Sequence, residues 1–184
     1  MSARRELRQR LLAERTRFVA SPAAADAEQA LRRELRAVLA ELEPQCLGLY
    51  WPHRGEFNAP AALADEEGLA NTPMALPFAD VEPPKMHYRL WDRLAPRLVD
   101  GCGIAASDGA EVVPDVVLVP CVGYTGSGLR LGYGGGYFDR WLVEHPQVCG
   151  VGVAWSFARL GDTELIGEPH DVPLSIVVTE RGAA

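Results

Sequence analysis

The fold turns on "DVVLVPCVGYTGSGLRLGYGGGYFDRWL", Asp115 to Leu142. It opens on Val116 to Cys121, an apolar run with no wet face, as in a strand buried on both sides. It closes on Phe138, Trp141 and Leu142, spaced i, i+3, i+4 along one helix face. Between them stand four glycines within five positions, Gly132, Gly134, Gly135 and Gly136, with Arg130 before and Asp139 after. Buried strand, glycine loop and helix start together read as one βα unit, and βα units build parallel sheets covered by helices.

The same reading extends outward. "CLGLYW" (Cys46 to Trp51), "PMALPFA" (Pro73 to Ala79), "VCGVGVAW" (Val148 to Trp155) and "LSIVVTE" (Leu174 to Glu180) are further short apolar runs bounded by Pro, Gly or charge. "KMHYRLWD" (Lys85 to Asp92) is a weaker strand candidate in a loop-rich region. Helical segments are expected at Ala3 to Ala20, from Ser21 onward, at Pro60 to Leu69 and at Gly136 to Glu144. In the second, Ser21 is the expected cap, Pro22 the first turn, and Leu31, Leu35, Val38 and Leu42 the buried face. The fold class is α/β: a three-layer, mostly parallel sheet with helices on both faces, in a single domain spanning 1–184.

Composition excludes several roles. With 25 acidic and 18 basic residues, net charge −7, there is no basic face for nucleic acid. The longest apolar run is too short to span a bilayer, so no membrane association is expected. Cys46, Cys102, Cys121 and Cys149 are too scattered for a metal cluster and read as free thiols of a cytoplasmic protein.

The chemistry gathers at the glycine loop. The first amides of a helix lack internal partners, the macrodipole adds positive potential, and glycines let main chain approach an anion closely. The spacing G-x-G-x-G is neither dinucleotide fingerprint nor P-loop, so an oxyanion cradle and a plain tight turn both fit. Asp139 is either a carboxylate favoured by the helix dipole or a hard oxygen ligand for Mg²⁺. On the opening helix, Arg4, Arg8 and Arg15 fall within an arc of about 40°, flanked by Leu11 and Phe18 on one side and Leu12 on the other. Cations on an apolar stripe need an anion, either native acids or a bound polyphosphate.

Two loops add candidates. In "GEPHDVP" (Gly167 to Pro173), Asp171 is a turn former or a second metal carboxylate, and His170 is read as structural. In "YWPHRGEF" (Tyr50 to Phe57), Trp51 and Glu56 sit at the carboxyl end of a strand, where α/β sheets bind ligands. They suit a flat heterocycle with hydrogen-bond donors, or ordinary aromatic packing beside a solvated acid.

"LVPCVGYTGSGLRLGYGGGYFDRWL" (Leu118 to Leu142), "EPHDVPLSIVVTE" (Glu168 to Glu180) and "RRELRQRLLAER" (Arg4 to Arg15) resemble the 5-formyltetrahydrofolate cyclo-ligase (methenyltetrahydrofolate synthetase) family. The resemblance implies an ATP- and Mg²⁺-dependent ligase of one-carbon metabolism. Its products would be 5,10-methenyltetrahydrofolate, ADP and phosphate, made through an iminium phosphate. It also implies a fold related to sugar-phosphate isomerases and CoA transferases, and a monomer whose partners are small molecules. Arg4, Arg8 and Arg130, Leu131, Gly132, Tyr133, Gly134, Gly135, Gly136, Tyr137 and Phe138 would contact ATP, with Arg130 and Asp139 catalytic. Asp139 and Asp171 would hold Mg²⁺. Trp51 and Glu56 would contact folate, together with Tyr133, Gly134, Gly135, Gly136 and Tyr137.

The chain departs from the family pattern at several places. Arg4 replaces a lysine, Ala59 a threonine, Ala105 and Ala106 stand where an acid is usual, Tyr124 and Thr125 replace F-D, and Asn71 and Thr72 stand where a basic residue is usual. Most of these fall on the folate side, so the resemblance also admits a weakly active or non-catalytic folate- or nucleotide-binding homologue.

Overall fold

The computed structural model describes residues 3–183; Met1, Ser2 and Ala184 lie outside the described residues. The chain order is α1 (Ala3–Val19), α2 (Ala24–Leu42), β1 (Leu47–Gly48), α3 (Ala59–Leu63), β2 (Met74–Asp80), β3 (Lys85–Trp91), β4 (Leu98–Val99), β5 (Ala105–Ala106) and β6 (Glu111–Val112). It continues through β7 (Val116–Pro120), β8 (Gly123–Thr125), β9 (Arg130–Leu131), α4 (Tyr137–Glu144), β10 (Cys149–Val153), β11 (Arg159–Leu160), β12 (Ile176–Thr179) and β13 (Gly182–Ala183).

The main sheet runs β13-β12-β10-β7-β1-β2-β3-β6. Its centre, β12 to β2, is parallel, and both edges are antiparallel. The continuous apolar runs therefore became the inner strands, because parallel strands are covered on both faces. "KMHYRLWD" is β3, paired over seven residues with β2.

Alternation along the strands feeds two cores. Leu47, Met74, Leu76, Leu118 and Val153 meet Leu31, Leu35 and Leu39 of α2 on one face. Val117, Val119, Tyr88 and Ala75 meet Trp141 and Leu142 of α4 on the other. The three layers are thus helix, sheet, helix. A third cluster joins Leu11 of α1 to Val122, Leu131 and Leu160 around a small sheet, β11-β8-β9. That attachment places α1 beside the glycine loop.

Several local expectations change. The second helix begins at Ala24 with Ala23 as its cap, and Ser21 contributes only its carbonyl, to Ala24 N. Its buried stripe is Leu31, Leu35 and Leu39, while Leu42 is exposed. The stripe stops there because Glu43 turns left-handed (φ 46°) and takes the chain away. Pro60 to Leu69 is not one helix but α3 and a separate 3₁₀ turn, Glu67–Leu69. The glycine loop does not follow β7 directly: the β8–β9 hairpin intervenes and docks under α1.

Candidate active site

A cavity of about 410 Å³ opens at the carboxyl ends of β1, β2 and β7. Trp51 and Glu56 from the turn after β1 line it together with Arg130, Tyr133, Tyr137 and Phe138 from the glycine-loop region. Pro77, Met86, Asp100, Cys102 and Ile104 are also among the lining residues, and none of these five carries a local motif that would have marked it.

The Trp51 wall is a tight turn. The Tyr50 hydroxyl donates to the Phe57 carbonyl (3.0 Å), Glu56 N to His53 O (3.2 Å), and Arg54 and Gly55 adopt left-handed conformations. Asn58 caps α3 by accepting from Ala61 N (3.1 Å), which carries Ala59 into the core. Trp51 stands edge-on to Trp91, with ring centroids 6.2 Å apart.

Glu56 is buried in a hydrogen-bond network. His53 N donates to Oε2 (2.8 Å), the Tyr133 hydroxyl donates to Oε1 (2.9 Å), and Arg15 lies 3.9 Å from Oε1. Burial pushes its carboxyl up to about 7, against the opposing pull of the His53 amide, Arg15 and the Tyr133 hydroxyl. Burial likewise raises the Tyr133 phenol, with Glu56 adding to the effect.

The glycine loop presents the second half of the site. Gly136 is the left-handed N-cap of α4, and the amides of residues 134–138 find no main-chain partner among the described residues. Arg8 Nε donates to Gly132 O (2.7 Å). The Arg8 guanidinium carbon lies 3.3 Å from where a Cβ on Gly134 would stand, at φ +100°. Gly134→Ala is expected to push Arg8 off the loop and lower the melting temperature by roughly 2–4 °C for each kcal/mol of strain. An unchanged melting temperature would argue against the close Arg8 contact.

Charges around the loop pair in a consistent way. Arg130 donates to Asp139 (2.7 Å) with Phe138 beneath its guanidinium, and Arg4 donates to Asp171 (2.5 and 3.2 Å) and to Ile166 O (2.8 Å). Arg4 also lies 3.5 Å from Glu168. The anion that meets Arg4 is therefore a native acid, and that acid is one of the two expected metal ligands. The Asp171 hydrogen bond, opposed by burial, raises the Arg4 guanidinium. Arg8 has no acid within ion-pair distance among the described residues; burial and then repulsion from Arg4 lower it.

Of the expected residues, Trp51, Glu56, Arg130, Tyr133, Gly135, Tyr137 and Phe138 share the cavity. Arg4, Arg8, Asp139 and Asp171 gather at the glycine loop outside it. Leu131 does not present its side chain to either: it is fully buried against α1, and its carbonyl accepts from Val122 N. Arg15 joins the site network without having been placed in it; its position on the apolar stripe of α1 was the available signal.

Residues 103–180 match the model of the 5-formyltetrahydrofolate cyclo-ligase family. The family expected from the motifs is the one that matches. A 5-formyltetrahydrofolate cyclo-ligase of Mycoplasma pneumoniae is 37% identical over 68 residues, which span 36% of this chain and 40% of that protein. A Haemophilus influenzae protein of the same name is 27% identical over 159 residues, spanning 80% and 82%. The Aquifex aeolicus 5,10-methenyltetrahydrofolate synthetase structure superposes with TM-score 0.77 at 27% identity, covering 99% of this chain and 92% of that one. The cyclo-ligase match covers the glycine loop with Arg130, α4 and the Asp171 loop, but not α1 with Arg4, Arg8 and Arg15.

Most cyclo-ligase departures lie away from the cavity. Ala59 is wholly buried in the core, Thr125 bonds Ser127 within the β8–β9 hairpin (2.8 Å), and the Thr72 carbonyl accepts from Arg93 (3.0 Å). Only the Gly103–Ala106 segment adjoins the lining, through Ile104. Among the described residues no helix is long and apolar enough to cross a membrane.

Proposed function

We propose that the protein uses ATP to close 5-formyltetrahydrofolate to 5,10-methenyltetrahydrofolate, releasing ADP and phosphate. One observation carries this reading. A loop whose amides lack main-chain partners, gripped by an arginine with no acid in ion-pair reach among the described residues, shares Arg130, Tyr133, Gly135 and Tyr137 with an aromatic- and carboxylate-lined cavity. A triphosphate on the loop and a pterin in the cavity would meet at that shared wall.

The chemistry is phosphoryl transfer followed by ring closure. The formyl oxygen bonds to the γ-phosphorus as the bond to ADP breaks; N10 then attacks the formyl carbon, phosphate leaves with the C–O electron pair, and the N10 proton is released. Phosphorylation makes a poor leaving oxygen a good one. The protein's part is placement and charge stabilisation. Arg8 and the loop amides suit the phosphates, and Arg130 the transferred group. The Glu56 carboxylate suits the N–H donors of the pterin edge, and Trp51 its ring face.

Asp139 and Asp171 suit Mg²⁺ in a particular way. No cluster of three or more metal-ligating side chains occurs among the described residues. Mg²⁺, however, commonly takes one or two carboxylates and fills its octahedron with phosphate oxygens and water. Each carboxylate is now held by an arginine, Arg130 and Arg4, and both arginines are themselves suited to phosphate. The bound ion would supply neutralisation of the transferred phosphoryl charge; the chain's own contribution is two carboxylates held ready beside two guanidiniums.

The direct test follows methenyl absorbance with 5-formyltetrahydrofolate, ATP and Mg²⁺. Growth of the signal that depends on both ATP and the metal is expected. Folate and ATP binding without product would instead identify a binding relative, and no binding of either would sink the reading.

A further inference from the structure

Arg15 is only 2% exposed, yet it sits among groups from three other elements. Its Nη2 donates to the carbonyl of Cys121, just past β7 (2.6 Å), and its Nη1 donates to the Tyr133 hydroxyl (3.0 Å). Among the described residues it has no carboxylate at hydrogen-bond distance; Glu56 lies 3.9 Å away, reached through Tyr133. A guanidinium has donors only, so the Tyr133 oxygen must accept from it, and the hydroxyl proton goes to Glu56 (2.9 Å) in preference to the more distant His53 carbonyl (3.3 Å). Arg15, Tyr133 and Glu56 thus form a chain with a fixed direction.

The same helix touches the same loop a second time. Arg8 grips Gly132 O and Arg15 grips the Tyr133 hydroxyl. The two lie seven residues apart, about 10 Å along the helix axis. We propose that Arg15 is a positioning residue: it locks Tyr133 onto Glu56, favours the ionised form of that carboxylate against burial, and so ties the folate wall to the nucleotide loop. The inference rests on the cyclo-ligase reading for the identity of the ligands and on geometry for the rest.

The groups facing Glu56 are Arg15 from α1, Tyr50 at the end of β1, His53 and Arg54 on its own turn, Tyr133 from the glycine loop, and Cys121 after β7. Of these, Arg15 is the buried cation that favours the ionised carboxylate. His53 is itself lowered, first by burial and then by Arg54 and Arg15, so it does not replace that charge.

The experiment is a carboxyl ¹³C titration of Glu56 in the ligand-free protein, assigned by difference with Glu56→Gln. It is made on the wild type, Arg15→Gln, Arg15→Lys and Tyr133→Phe, with circular dichroism to establish folding. The expected midpoint rises by about one unit or more in Arg15→Gln, which is about tenfold in ionisation at a given pH, and by less in Arg15→Lys, which keeps the charge. In Tyr133→Phe, which takes one hydrogen bond from the carboxylate, it also rises. In parallel, the Kd for 5-formyltetrahydrofolate at pH 7 rises about fivefold or more in Arg15→Gln, as the ionised fraction falls, and recovers toward the wild-type value at pH 9, a pattern that general loosening would not produce. Should Arg15→Gln not fold, Arg15→Lys and Tyr133→Phe decide. An unmoved Glu56 midpoint in every folded variant overturns the proposal. Because the titration needs no ligand, a wild type that neither binds nor converts the folate sinks the functional reading while leaving this test intact.

Discussion

Arg130→Ala is expected to lower kcat/KM for ATP about thirtyfold or more, equivalent to about 2 kcal/mol for one lost charge-assisted contact. The side chain is 5% exposed, lines the cavity, lies over Phe138 and holds Asp139 at 2.7 Å. Asp139→Ala should cost as much in turnover and more in stability. It leaves a buried guanidinium without its anion, whereas Arg130→Ala leaves a carboxylate in the first turn of α4, where the helix dipole still favours it. The two changes should not add, because each single variant already breaks the pair. Steady-state kinetics of both singles and the double decide the matter, and near-normal values in both singles would discredit the assignment of this pair to the phosphate side.

The second large effect is the pH dependence set by Glu56. Its carboxyl stands at about 7 in the folded protein, against 4.5 for a free side chain. Between those values the folded state binds a proton that the unfolded chain has lost, so this group's contribution to stability falls as pH rises from about 4.5 to about 7 and is level beyond. The integrated loss is roughly 3 kcal/mol. Glu56→Gln should remove it: urea unfolding at pH 5 and pH 8 should show the variant gaining relative to wild type by about that amount, and a pH-independent difference would refute the buried, proton-holding carboxyl. Ligand binding runs the other way. On the proposed function an ionised Glu56 would accept the pterin's donors, so wild-type affinity for 5-formyltetrahydrofolate is expected to weaken as pH falls through about 7. The Gln variant should bind more weakly at pH 8 but with a flatter profile. The ionised form that serves the ligand is the form that burial disfavours.

Most departures from the cyclo-ligase pattern lie away from the cavity, unlike what their place in the sequence suggested. Ala59 follows Glu56 by three residues, yet the Asn58 cap turns it into the core. Proximity in sequence to a ligand wall did not mean proximity to the ligand, because a helix began between them.

What the sequence determined by itself was local. Continuous apolar runs placed the inner strands and period-3.6 patterning placed α1, α2 and α4, since burial on both faces or along one stripe is written directly into the chain. The clustered glycines marked the loop, and the three arginines on an apolar stripe marked α1 as a helix that turns cations inward. The tertiary structure alone decided the partners. Arg4 meets Asp171 across 167 residues, Arg15 meets Tyr133 across 118, and the cavity wall at Pro77, Met86 and Ile104 comes from strands and a loop whose own spacing carries no trace of a site. It also decided that a hairpin separates β7 from the glycine loop and that Leu39, not Leu42, ends the α2 stripe. The physical reason is the same in each case. Backbone preference and hydrophobic period act over a few residues, whereas the choice among possible counter-ions and wall residues depends on which distant segments the closed sheet brings within hydrogen-bond reach.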